Sequence, residues 1–200
     1  MEAFEQFVAI YLEEQGYVVS SSIKFPIKRQ INRQDHVEFQ THGYEVDLIA
    51  ARADRLILAT VKSFLGSRGV VAEHVMGISD NARANKLYVM LHDKSIRKSM
   101  ILQAAKRFGY RQDQVQLGLY VGRFSGPSKG DHEDRVRRWC RTQRAGAGEI
   151  EVCSLSDMVE IVVKAATDAK QYRDNPVLVT MRLLNAAGLL VSELQTSIDE

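Results

Sequence analysis

Residues 43–64 read GYEVDLIAARADRLILATVKSF, and this stretch decides the fold class. Its first half alternates and then becomes continuously apolar through Leu48-Ile49-Ala50-Ala51, which reads as a strand entering a buried position. Ala53-Asp54 marks a turn. Arg55 to Phe64 follows as a second strand whose apolar run suits a sheet covered on both faces. Alternation points side chains i and i+2 to one face, so Thr60 and Lys62 point together. A hairpin across Ala53-Asp54 brings Asp47 to the same end as that pair. An acid and a lysine are costly to bury unpaired, so a polar cleft is expected there and not a sealed core.

Working outward, residues 2–16 carry Phe4, Phe7, Val8, Ile10, Tyr11 and Leu12 at helical spacing, with Gly16 as the stop. YVVSSSIKF reads as extended, and Lys24 to Gln34 as a basic loop containing Pro26. HVEFQTHGYEVDLIAAR is a strand. Residues 70–84 predict a helix and KLYVMLH a short strand. SIRKSMILQAAKRFGY predicts a helix with Ser95 as N-cap and Gly109 as stop. VQLGLYVGRF and EIEVCSL read as strands, separated by a Gly/Pro/Ser loop and a basic stretch, RVRRWCRTQRAG. SDMVEIVVKAATDAKQY predicts a helix capped by Ser156 or Asp157, and Asn175-Pro176 opens the final one. This alternation predicts an α/β fold with a mixed central sheet flanked by helices and extra C-terminal helices.

The chain has 200 residues, which fits one domain or one domain with a small appendage. The expected division is a core over 1–125. Residues 126–200 then supply a basic insert, a strand and C-terminal helices that pack on the core or form that appendage. A formal net charge of +2 excludes nothing by itself, since only clustering of charge points to nucleic acid. Cys140 and Cys153 lack metal-ligand spacing and read as reduced thiols of a cytoplasmic protein. The acidic, amphipathic start MEAFEQF is unlike a signal peptide, and no apolar run nears the ~20 residues a membrane span needs, so no membrane partner is expected.

Phosphodiester hydrolysis needs a divalent cation or two, an activated water and neutralised charge at the phosphate. Mg²⁺ prefers hard oxygen ligands, usually one or two carboxylates with waters and the substrate phosphate. An Asp ending one strand, with an acid and a Lys two residues apart on its neighbour, is a compact way to supply them. This pattern resembles the PD-(D/E)XK nuclease superfamily, the restriction-endonuclease-like fold. It is most similar to the branch holding Mrr-type restriction enzymes and archaeal Holliday-junction resolvases. The residues carrying the resemblance are Phe4-Glu5 on the first helix, Gly16-Tyr17-Val18-Val19 and Glu45-Val46-Asp47-Leu48-Ile49-Ala50. Thr60-Val61-Lys62-Ser63 stands where the family closes with acid-X-Lys-Ser. The resemblance covers roughly residues 1–92, continues more loosely to about 125, and then stops.

The resemblance implies a DNA-acting, metal-dependent endonuclease in defence, repair or recombination, with Mg²⁺ as cofactor and Mn²⁺ as substitute. Asp47 would ligate the metal and Lys62 would orient or activate water. Thr60 departs from the pattern, because a hydroxyl brings no charge to a cation held mostly by charge. Three readings follow. Glu5 or Glu45 supplies the missing carboxylate; or the fold persists as a nucleic-acid-binding or partner-binding module without cleavage; or the acid was altered in this particular sequence. Ser63 and the Gly66-Ser67-Arg68-Gly69 turn are candidates for phosphate contact.

Basic residues gather in three places: Lys24, Lys28, Arg29 and Arg33; Arg97, Lys98, Lys106, Arg107 and Arg111; and Arg135, Arg137, Arg138, Arg141 and Arg144 around Trp139. The last group is densest, and an aromatic among arginines suits nucleic acid, although a Trp packed inward under solvated arginines is the plain alternative. His36 and His42 flank the acidic strand, and His74 follows the glycine turn. No zinc spacing, phosphate-binding loop, dinucleotide fingerprint or serine elbow is present. The closing LLNAAGLL carries an apolar stripe for the domain or for a second copy, and nucleases of this class commonly act as dimers.

Overall fold

The structure, a computed structural model, describes residues 2–32, 37–126, 131–168 and 174–190. A five-stranded mixed sheet forms its middle. The strands are β1 (Val18–Asn32), β2 (Val37–Arg52), β3 (Arg55–Lys62), β4 (Val115–Val121) and β7 (Glu151–Ser154), in the spatial order β1-β2-β3-β4-β7. The first three run antiparallel, and β3, β4 and β7 run parallel. A two-stranded ribbon, β5 (Arg144–Ala145) with β6 (Gly148–Glu149), lies apart from it.

Each face of the sheet has its own apolar core. On one side pack α2 (Ala72–Met76), α4 (Val89–His92), α5 (Lys94–Phe108) and α6 (His132–Thr142), with Leu56, Leu58, Leu117 and Leu119 beneath them. On the other lie α1 (Ala3–Glu14), α7 (Leu155–Thr167) and α8 (Pro176–Ala186), over Ile57, Ala59, Val61 and Tyr120. The short α3 (Ala82–Lys86) has no buried residue. The period of two in β3 therefore feeds both cores, which is why its sequence reads as nearly unbroken apolar. The segment after residue 125 belongs to this same body: β7 joins the sheet, and Val136, Cys140, Met158, Val162 and Leu178 sit in the two cores.

Several local expectations are corrected. Lys24 onward is not a loop: β1 runs to Asn32, paired with β2 along its length. Phe25 and Ile27 are buried and supply the strand period, while the polar residues between them hide it. Pro26 is tolerated because β1 is an edge strand, and its carbonyl accepts the Gln103 amide at 2.8 Å. KLYVMLH is not a strand but the helical turn α4, with Tyr88, Met90 and Leu91 buried; so short an apolar run carries no period to decide between the two. The helix expected over 70–84 is broken by Gly77 at φ 72° into α2 and α3. Asp93, not Ser95, caps α5, its Oδ1 accepting the Ser95 and Ile96 N–H groups. Ser154 caps α7, with Asp157 closing the capping box from three residues on. Arg33 and His36 lie outside the described residues.

Arg137 ties three elements together. Its guanidinium donates to Glu133 on α6, to the Val152 carbonyl and Ser154 hydroxyl of β7, and to Asp157 on α7. Arg137→Met is expected to lower stability by about 1–2 kcal/mol in urea unfolding, because its partly exposed acid partners stay hydrated when left alone. The buried thiols provide a second test. Burial pushes Cys140 and Cys153 up to about 12, against about 8.5 in an open chain. The unfolded chain loses those protons first, so stability should hold at neutral pH and fall as pH rises above about 8.5. The urea midpoint measured from pH 7 to pH 11 checks this sign.

Candidate active site

The ladder between β2 and β3 runs from Arg52↔Arg55 to Leu48↔Ala59 and stops there. Beyond it the Asp47 carboxylate takes over: its Oδ2 accepts the Val61 N–H at 2.7 Å and meets Lys62 Nζ at 3.4 Å. On the other side, Ser21↔Leu48 and Ile23↔Val46 leave Ser22 opposite Asp47, and Ser22 has φ 57°. The strand period slips at this point. Ile23, Phe25, Tyr44 and Val46 pack on the α5 side, whereas Val19, Leu48 and Ala50, at the same parity, pack on the α1 side. Both strands thus change face where Asp47 stands.

Phe64, two residues after Lys62, has φ 43°. Ser22 and Phe64 are the non-glycine residues with positive φ among those described, and both abut this acid and lysine. Such backbone costs about 1–3 kcal/mol per residue and gathers where function constrains the chain. Gly122 lets β4 approach closely, since a Cβ there would stand 2.5 Å from the Ser63 carbonyl oxygen.

Two depressions meet at Asp47 and Lys62. A cleft of about 470 Å³ on the α5 side is lined by His42, Glu45, Asp47, Thr60, Lys62 and Lys86, with Met90 and Met100 among its apolar residues. A depression of about 320 Å³ on the α1 side is lined by Glu2, Glu5, Asp47, Lys62 and Ser63, with Phe64 at its wall. The structure thus brings Asp47, Thr60, Lys62, Glu45, Glu5 and Ser63 to one region. Thr60 is buried, and Lys62 and Asp47 are partly buried.

The carboxylates are differently committed. Glu45 pairs with Lys24 directly across β1 at 3.3 Å, in an exposed ion pair. Glu45 lines the same cleft as Asp47, although the strand period slips within β2 between Val46 and Leu48. Glu5 Oε2 accepts the Glu2 N–H at 3.0 Å, closing the first turn of α1. Both bonds to Asp47 fall on Oδ2, so Oδ1 is the oxygen left for a ligand. Among the described residues no group of three His, Cys, Asp or Glu side chains is placed to hold a metal ion. The donors are hard oxygens, so they suit Mg²⁺ chemically. Asp47 and Glu5 line one depression, where any ion would need water or phosphate to complete its shell.

The remaining candidates lie elsewhere. Gly69, at φ 93°, exists for packing: a Cβ there would stand 2.5 Å from the Phe124 carbonyl carbon. Arg68 is exposed on that turn. Its charge, after burial, helps hold His74 below the usual histidine range. Arg135 pairs with Glu73 at 2.7 Å. His132 Nδ1 accepts the Ala72 N–H at 3.3 Å, so its 3.7 Å approach to Glu73 is no ion pair while the ring is neutral. Arg137 is consumed in the contacts described above, and Arg138 and Arg141 are exposed. Trp139 packs against the core beside α5, which favours the inward reading of that cluster. The Ser22 and Phe64 conformations have no counterpart in composition or spacing, so sequence reasoning passed over them.

No protein-family model, curated protein or solved structure matches this chain.

Asp47→Ala should cost about 1–3 kcal/mol, because the Val61 N–H and the Lys62 ammonium lose their acceptor together. Asp47→Asn keeps a carbonyl oxygen for Val61 and should cost less. Urea unfolding of the two variants at one pH separates the lost acceptor from the lost charge.

Proposed function

We propose that this chain is a DNA-acting phosphodiesterase of the PD-(D/E)XK type, a metal-dependent endonuclease working on the cytoplasmic side of defence, repair or recombination. The observation that carries the reading is the Asp47–Lys62 contact at the end of paired strands, held by strained backbone on both sides and open to two depressions. An acid and an ammonium at that distance, partly buried but reachable, suit a phosphate better than a core.

Asp47 and Glu5 would hold a divalent cation, Mg²⁺ or Mn²⁺, which when bound polarises the phosphoryl oxygen and lowers the pKa of bound water. Lys62 holds its ammonium beside the phosphate, offsets charge that grows as the bond breaks, and orients the attacking water. Val61 N–H fixes the Asp47 carboxylate, so that the acid and Lys62 keep one geometry. Thr60 contributes a hydroxyl to the cleft wall. A homodimer would present two such sites to two strands.

A second reading, a domain that grips DNA without cutting it, is favoured by one observation. Thr60 stands at the position of the missing acid, and the nearest substitutes are engaged, Glu45 with Lys24 and Glu5 with the α1 N-terminus. Cleavage of supercoiled plasmid, linear duplex and single strands with Mg²⁺ and then Mn²⁺ separates the two. Nicking by the wild type that drops at least a hundredfold in Asp47→Asn and in Lys62→Ala supports hydrolysis. Thr60→Glu should then raise the rate. A wild type that binds DNA with a steep salt dependence but cuts nothing, while Thr60→Glu cuts, supports the gripping domain. Inertness of both proteins together with no salt-dependent binding sinks both readings.

A further inference from the structure

A second concavity lies on another face of α5. Met100 of that helix lines the cleft described above, whereas Lys94, Arg97, Lys98 and Ile101 line a separate cavity of about 460 Å³. Their spacing is one helical stripe. The opposite wall comes from Gln112 and from the end of α6 running into β5, including Gln143 and Arg144. The lining therefore carries four cations and no acid. Glu149 stands across the β5–β6 ribbon from Arg144 but does not line the cavity.

Arg97 is the decisive residue. It is 5% exposed, yet no carboxylate among the described residues lies within ion-pair distance of it. Its Nη1 donates to the Leu91 carbonyl at 2.8 Å, and Nη1 and Nη2 reach Gln143 Oε1 only at 3.5 Å. Those partners are neutral. Asp93 adds a favourable charge, but its Oδ1 serves the first turn of α5. A guanidinium has five N–H donors, and a buried charge whose hydrogen-bond partners are all neutral is expensive. Lys94, Lys98 and Arg144 are exposed and add repulsion instead of relief.

We propose that this cavity is an anion site that takes a phosphate group, with Arg97 at its floor and Lys98 and Arg144 at its rim. The planar guanidinium offers a fork matched to two phosphate oxygens. Lys94 and the N-terminal turn of α5 add positive potential from the same side. Four cations without an acid suit a dianionic phosphate better than a single carboxylate. The volume lies within the range of small-ligand sites, about 300–1,000 Å³, so more than a bare phosphate fits. The phosphate can belong to a free phosphorylated compound or to a nucleic-acid backbone, and the recognition chemistry is shared. The site stands apart from the Asp47–Lys62 cleft and does not depend on cleavage there.

The test is titration of the full chain with inorganic phosphate by calorimetry, and by melting temperature, against chloride at equal ionic strength. Phosphate should bind and raise the melting temperature, and chloride should not. Lys98→Gln with Arg144→Gln changes only exposed side chains and should weaken phosphate at least tenfold with an unchanged melting temperature in chloride. Arg97→Met should abolish binding if it folds; Lys24→Gln, remote from this cavity, should change nothing. A phosphate effect no larger than that of chloride overturns the proposal, as does a double variant that binds like the wild type. A short DNA duplex that displaces the bound phosphate assigns the site to a backbone. Retention of phosphate against duplex assigns it to a free phosphorylated compound. Neither readout involves hydrolysis, so failure here leaves the cleft reading untouched, and failure of cleavage leaves this site standing.

Discussion

The bond from the Val61 N–H to the Asp47 carboxylate holds together the place where this sheet changes character. Up to Leu48↔Ala59 the main chain of β2 supplies the acceptors for β3. One step further a side chain supplies it, at 2.7 Å. That substitution frees β2 to turn its residues over while β3 continues straight into its parallel ladder with β4. Ser22 absorbs the same change in β1 with a left-handed backbone. A buried N–H without an acceptor would cost about 1–3 kcal/mol, so the acid at 47 is needed for structure before any chemistry is asked of it.

Asp47 is neutralised by Lys62 and oriented by Val61, and the strand slip opens a depression on each side of the sheet. Glu5 reaches the region because α1 packs its Phe4, Phe7 and Val8 over the α1-side core, which places the first turn beside the end of β3. Glu45 reaches it along β2, but its cross-strand lysine competes for it. Thr60 sits where charge would be most useful and contributes none. On the proposed reading, a cation here would rest on few protein ligands.

The basic residues divide by what already holds them. Arg135 and Arg137 are spent on Glu73, Glu133 and Asp157, and Arg111 on Asp113. Arg107 lies over Phe25 and Phe108. Density of arginine along the chain was therefore a poor guide to an anion surface. Arg97 and Lys98 of the second cluster, Arg144 of the third, and Lys94 instead line one cavity across α5 and the β5 ribbon that no acid lines.

The hairpin at Ala53-Asp54, the buried β3, the helices α1, α5 and α7 and the meeting of Asp47 with Lys62 were legible in the sequence, because each rests on a local period, a cap or a turn. The long β1, the helical turn α4 and the caps at Asp93 and Ser154 were less so, because edge pairing and burial decided between conformations that the local residues left open. The slip at Ser22 and Asp47 was not legible at all: an alternating pattern assumes an unbroken pleat, and only the packing of two cores on opposite faces shows where the parity changes. Sequence alone determined an α/β fold and the nearness of Asp47 to Lys62. Tertiary structure alone decided which charged residues face a common space, because charge is spent or left available by neighbours distant along the chain.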